Sequence, residues 1–85
     1  MGTDGLKGEV RGFLETYISD GEFTDEDDIF ELGLVNSLMA MQLVLFLEKQ
    51  YGLKLAGDDL DFANFRSVVR ITALVDRKLE EKKGI

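Results

Sequence analysis

Apolar positions along the chain change their spacing from segment to segment. Leu6, Val10, Phe13, Leu14 and Tyr17 recur at i, i+4, i+7, i+8 and i+11, which is one face of an α-helix. Thr3 or Asp4 can cap this helix, and it should close near Ser19-Asp20-Gly21. Gly8 and Gly12 lie off the apolar face and each weakens the helix by about 1 kcal/mol relative to alanine. Residues 20–36 then read as a long connection. Its first half is polar and acidic. Its second half carries Ile29, Phe30, Leu32, Leu34 and Val35, which predicts that it folds back over the core.

Asn36 is a strong N-cap type, and a second helix is expected from Ser37 to about Tyr51, with Gly52 just past its end. Leu38, Met39, Ala40, Met41, Leu43, Val44, Leu45, Phe46 and Leu47 leave this helix almost no polar face before Glu48. A helix apolar all round is either buried all round or docks something. In 85 residues it cannot be buried all round, so some of Leu38, Met39, Leu45 and Phe46 should be exposed. Contiguous exposed apolar surface marks an interaction site. Leu53-Lys54-Leu55 suits a short extended segment. Leu60, Phe62 and Phe65 suit an irregular or one-turn helical piece opened by Asp58, Asp59 or Asp61. Ser67 can cap a last helix whose apolar face is Val68, Ile71, Thr72, Val75 and Leu79. Glu80 to Lys83 give it a frayed, charged end, and Arg77, Lys78, Lys82 and Lys83 suit the helix dipole.

These elements predict an all-α fold of one domain over residues 1–85: a small bundle of three principal helices with a short helix placed third in order. Counting the short piece, it is a four-helix bundle. The long loop joins the first two helices. No repeat is visible and there is no proline.

Composition narrows the chemistry. The chain has neither cysteine nor histidine. That removes disulfides, most zinc sites, the Ser-His-Asp and Cys-His systems and the commonest general base. No stretch reads as a transmembrane helix or a secretory signal, so a soluble cytoplasmic chain is expected. Net charge is −7, but the run from Glu15 to Glu48 holds nine acids and no base, leaving +2 on the rest. Such a run repels nucleic acid and steers basic protein partners.

Within the acidic run, Asp20 and Glu31 stand twelve positions apart, as the first and last ligands of a calcium-binding EF-hand loop do. The sixth position, which needs glycine, is Asp25, and the eighth is Asp27, so the pattern fails. The acid pairs Asp27-Asp28 and Asp58-Asp59 lack an apolar pocket to separate their pKa values. Ser37 is sharper. A phosphate ester on the first residue of a helix would lie beside unsatisfied N–H groups at the positive end of the dipole. Spacing alone does not distinguish it from an ordinary helix-start serine.

Gly33-Leu34-Val35-Asn36-Ser37-Leu38 resembles the phosphopantetheine-attachment motif of acyl carrier proteins, usually Gly-hydrophobic-x-Asp-Ser-Leu. Asp28-Ile29-Phe30-Glu31-Leu32 resembles that family's acidic-aromatic lead-in, and Leu43 to Gly52 its second helix. Val35 to Leu38 with Ala40 to Phe46 and Asp61 to Ser67 is similar to discrete carriers of polyketide extender units, namely methoxymalonyl-, hydroxymalonyl- or aminomalonyl-acyl carrier proteins.

The resemblance implies a carrier in polyketide or hybrid polyketide/nonribosomal peptide (antibiotic) biosynthesis, and not an enzyme. Ser37 would hold 4'-phosphopantetheine from coenzyme A, with Asn36 as the helix cap beside it. The arm would carry an acyl thioester. Implied partners are a phosphopantetheinyl transferase, an acyl- or aminoacyl-loading enzyme, tailoring enzymes such as acyl-ACP dehydrogenases, and an acyltransferase or synthase acceptor. No nucleic acid or membrane partner and no metal is expected, and the chain should be a monomer. Leu38, Met39, Leu45, Asp27, Asp28 and Glu31 are the docking candidates. A carrier of amino acids, including D-alanine, is the alternative, and a helical interaction domain without a covalent group is a third reading. Asn36 replaces the usual aspartate, keeping the cap and losing a charge that the family presents to its modifying enzyme. Met39 and Gln42 stand where fatty-acid carriers often show acids, so docking should rest on apolar contact.

Overall fold

The computed structural model describes residues 4–18 and 23–83. Three α-helices are present among them: α1 (Asp4–Tyr17), α2 (Ser37–Tyr51) and α3 (Val68–Lys83). The short piece before α3 is not a fourth α-helix but two successive 3-10 turns, Gly57–Leu60 and Phe62–Phe65. The reason is local. The Asp61 side chain accepts from the Ala63 amide at 2.9 Å and so opens a new turn where the first one stops. The Thr3 or Asp4 cap and the stop at Ser19-Asp20-Gly21 lie outside the described residues or side chains.

The core is built by all three helices and by the loop. Val10 and Leu14 from α1 meet Leu43 and Leu47 from α2 and Val68, Ile71, Leu74 and Val75 from α3. Burying a side chain of this kind contributes about 1.5–3 kcal/mol. Ile29 and Val35 from the loop and Phe65 from the second 3-10 turn complete the core. The loop therefore does fold back, and Leu53 and Leu55 point inward while Lys54 points out. Tyr17 differs from its expected place. It is exposed and rests on the Phe13 ring. Thr72 is buried on the α3 face, and its Oγ1 has no partner among the described residues.

Helix ends follow the predicted chemistry. Asn36 Oδ1 accepts from the Met39 amide at 3.0 Å. Gly52 adopts φ 64°, ψ 37° and donates its N–H to the Glu48 carbonyl, the left-handed close that glycine makes at least cost. Ser67 Oγ accepts from the Arg70 amide at 3.1 Å, which starts α3. A second amide of that first turn, Val69 N–H, donates to the Asp25 carbonyl at 2.9 Å. The acidic loop thus satisfies a helix terminus that would otherwise need water.

Candidate functional site

The loop that leads to Ser37 is wound around one carboxylate. Asp28 Oδ1 accepts from the Phe30 amide at 3.1 Å and the Glu31 amide at 3.0 Å. Asp28 Oδ2 takes the Arg66 guanidinium at 2.6 Å. The Glu31 amide is the largest influence on the Asp28 carboxyl and lowers it; burial, the next, raises it, and Arg66 and the Phe30 amide add to the lowering, so the carboxyl stands below the usual carboxylate range. Gly33 closes the turn with φ 76°, a conformation β-carbon-bearing residues rarely adopt, and donates to the Phe30 carbonyl at 3.0 Å. The amides of Leu34 and Val35 then converge on the Ile29 carbonyl at 3.0 and 3.2 Å. The chain leaves that neck directly into Asn36 and Ser37.

Ser37 is exposed as the first residue of α2. Because Asn36 supplies the cap, the Ser37 hydroxyl is not needed for it. No acid stands in the first turn of α2. A phosphodiester on this hydroxyl would meet helix-start amides without a neighbouring negative charge on the helix. Beside Ser37 lies an apolar cleft of about 160 Å³, lined by Ala40, Met41, Val44, Leu60, Phe62 and Phe65. Larger clefts, of about 270 and 250 Å³, lie away from this serine, by Gly52 and Lys78 and by Lys7 and Thr72.

Leu38, Met41 and Leu45 form an exposed stripe along α2, at 69%, 62% and 62% exposure. At 3.6 residues per turn they fall within about 60° of one another. Met39 and Phe46 lie about 80–160° round from them. Both are half-buried against the core, with Phe46 stacked on Phe13 at 4.2 Å between ring centres. So of the four side chains expected to share the exposure, Leu38 and Leu45 do, and Met39 and Phe46 do not. Met41 was missed, although its spacing from Leu38 and Leu45 carried the signal.

The acidic docking candidates are placed differently from one another. Glu31 is exposed. Asp27 Oδ2 accepts from the Thr24 amide at 2.8 Å. Asp28 is engaged by two amides and Arg66, and Asp25 by Arg11 at 2.9 Å and Lys7 at 3.9 Å. The cations Lys7, Arg11 and Arg66 come from outside the acidic run and pair with Asp25 and Asp28 within it. Arg66, 38 residues from Asp28, carries no sequence signal for that contact. Asp20, the first EF-hand position, lies outside the described residues. Among the described residues no group of three or more acids, histidines or cysteines could hold a metal.

Comparison with protein families matches residues 4–75 to the phosphopantetheine attachment site model. The chain belongs to this carrier family. Members bear a covalent 4'-phosphopantetheine and act as substrates of phosphopantetheinyl transferases and loading enzymes. The exposed serine, the spared hydroxyl and the acid-free first turn of α2 fit such a group. The carrier is similar to the D-alanyl carrier proteins of Lactococcus lactis subsp. cremoris (strain MG1363) and subsp. lactis (strain IL1403). Each is 27% identical over 78 residues, covering 89% of this chain and 99% of the relative. No solved structure matches significantly. No helix among the described residues is long and apolar enough to cross a membrane.

Proposed function

We propose that Ser37 is the attachment point and that this carrier holds a small acyl group as a thioester for other enzymes to load, modify and collect. The observation that carries this reading is Ser37 itself. It is exposed at the start of α2, its hydroxyl spared by the Asn36 cap and its side open to an apolar cleft. When bound, the phosphopantetheine supplies the thiol that this cysteine-free chain lacks. Asn36 fixes the helix start, the Ser37 hydroxyl would hold the group through its phosphate at that positive helix end, and Met41 and Phe62 wall the cleft. At about 160 Å³ that cleft is small beside the roughly 300–1,000 Å³ of pockets that enclose drug-sized ligands. A short cargo suits it better than a long chain.

The cargo we favour is a malonyl-type extender unit for polyketide or hybrid peptide synthesis, on the resemblance of Val35 to Leu38 and Ala40 to Phe46 to extender-unit carriers. Likeness to D-alanyl carriers supports a second reading, an aminoacyl cargo. In both, the protein is a substrate in the cytoplasm and not an enzyme. Docking would use Leu38, Met41 and Leu45, with Met39 at the edge and Glu31 and Asp27 nearby.

Incubation with coenzyme A and a broad-specificity transferase should add one phosphopantetheine by intact mass, and Ser37→Ala should gain none. A wild-type chain that gains no mass, or a Ser37→Ala chain that gains it, ends the carrier reading at this residue. Offering the loaded form a malonyl-type donor with its acyltransferase, or D-alanine with ATP and an activating enzyme, then separates the cargoes by the acyl mass gained.

A further inference from the structure

Asp28 faces into the loop, and both of its carboxylate oxygens are in use. Oδ1 holds two amides and Oδ2 holds the Arg66 guanidinium. A carboxylate offers about four lone-pair sites, so little is left for a partner's cation. Arg66 is half-exposed, and any approaching protein would meet a pair of zero net charge rather than a free acid.

Arg66 grips the same loop a second time. Its carbonyl accepts from the Ile29 amide at 2.7 Å. Ile29 is fully buried, and its own carbonyl receives the amides of Leu34 and Val35. One residue thus holds two adjacent positions on the incoming side of the neck, and the Ile29 carbonyl carries that hold to the outgoing side from which Asn36 and Ser37 emerge. Arg66 also directly follows the 3-10 turn that places Phe62 and Phe65 against the cleft. Across the top, the Phe30 and Phe62 rings meet edge to face at 5.4 Å. The attachment loop, the cleft wall and the start of α3 are joined at this one contact.

We propose that Asp28 and Arg66 form a positioning pair that sets where Ser37 stands for phosphopantetheine transfer, and that Asp28 is not itself a docking contact. This rests on the reading of Ser37 as the attachment point. Freed of the pair, the neck can shift and carry the first residue of α2 with it. A misplacement of about 1 Å at a reacting group can cost a hundredfold in rate.

The test is a double-mutant cycle on the full chain, following transfer from coenzyme A by a broad-specificity transferase. Asp28→Asn keeps an oxygen for the two amides and loses the ion pair. Arg66→Met loses the same pair from the other side. A positioning pair predicts that each lowers kcat on the order of tenfold with little change in KM, and that the double variant falls no further than the worse single one. Arg66→Lys should recover part of the loss. Hydrogen exchange at the Leu34 and Val35 amides should quicken in all three impaired variants by more than at the core Leu43 and Leu47 amides, which separates a loosened neck from general destabilisation.

A docking role predicts the opposite pattern. Asp28→Asn would raise KM, added salt would erase the difference, and Arg66→Met would leave the rate unchanged or faster by freeing the acid. That pattern, or rates and exchange equal to wild type, overturns the proposal. A wild-type chain that gains no phosphopantetheine overturns instead the reading of Ser37 on which it rests.

Discussion

At the scale of single residues, Asn36 caps the helix and Ser37 presents its hydroxyl. Asn36 holds the Met39 amide, and Ser37 is left open. Removing the cap with Asn36→Ala should cost about 1 kcal/mol in urea unfolding, while Asn36→Asp should stay within about 0.5 kcal/mol of wild type. The aspartate restores the charge that the family's motif usually presents, so it should also speed modification by a transferase that reads this charge. An unchanged rate would remove position 36 from recognition. This residue was legible in sequence because capping is local, a contact between neighbours three positions apart. Asp28 was legible as an acid and not as an inward-facing one, since its cation arrives from Arg66.

At the scale of elements, α2 carries the interaction face. Its composition announced exposed apolar surface, and packing of Met39, Val44 and Phe46 against the core limits that surface to Leu38, Met41 and Leu45. Leu38→Ala and Met41→Ala should leave unfolding free energy within about 0.5 kcal/mol, as exposed substitutions do. Turnover by a cognate loading enzyme should nevertheless drop, and the drop should persist in added salt because no ion pair on this face is being screened. Full turnover in both variants would move docking elsewhere. Met39→Glu tests something else. It places a charge on a half-buried side chain packed against the core, so a lower melting temperature is expected before any effect on docking. The 3-10 segment was foreseen as short and aspartate-opened. That it comprises two turns depends on Asp61 ending one and starting the next.

At the scale of the whole molecule, charge pairs fasten the segments around Ser37. Asp28 binds Arg66. Asp59 lies 3.0 Å from Lys78 and 3.7 Å from Arg77, tying the first 3-10 turn to α3. Burial pushes the Asp59 carboxyl up, but Lys78, the Ala56 amide and Arg77 together outweigh it and hold it low. Lys78 is raised, chiefly by its bond to Asp59 and then to Glu81. Tyr51, whose hydroxyl donates to Glu9 on α1, is also raised, by burial first and by that acid next.

A depressed carboxylate stabilises the fold above its unfolded pKa, about 3.9, and loses that contribution as pH falls through the lower folded value. A raised lysine or tyrosine stabilises below its unfolded pKa, about 10, and loses it as pH rises through the higher folded value. Melting temperature should therefore be flat near neutrality and fall at both extremes, the acid limb lying below about pH 4. Asp28→Asn and Asp59→Asn should each make the acid limb shallower relative to their own neutral plateau. A limb unchanged in both would remove these pairs from the acid response.

What is local or periodic was legible in the residues alone. That covers the helix faces, the Asn36 cap, the Gly52 close and the candidate serine, because each depends on residues within a turn or two of one another. The absence of cysteine and histidine and the motif around Ser37 pointed to attachment rather than catalysis. The packing of distant segments settles which acids are spent inside the loop, which side of α2 stays open, and that Arg66 holds the neck behind Ser37. Those outcomes depend on which distant segments meet, and neither spacing nor composition encodes a contact across 38 residues.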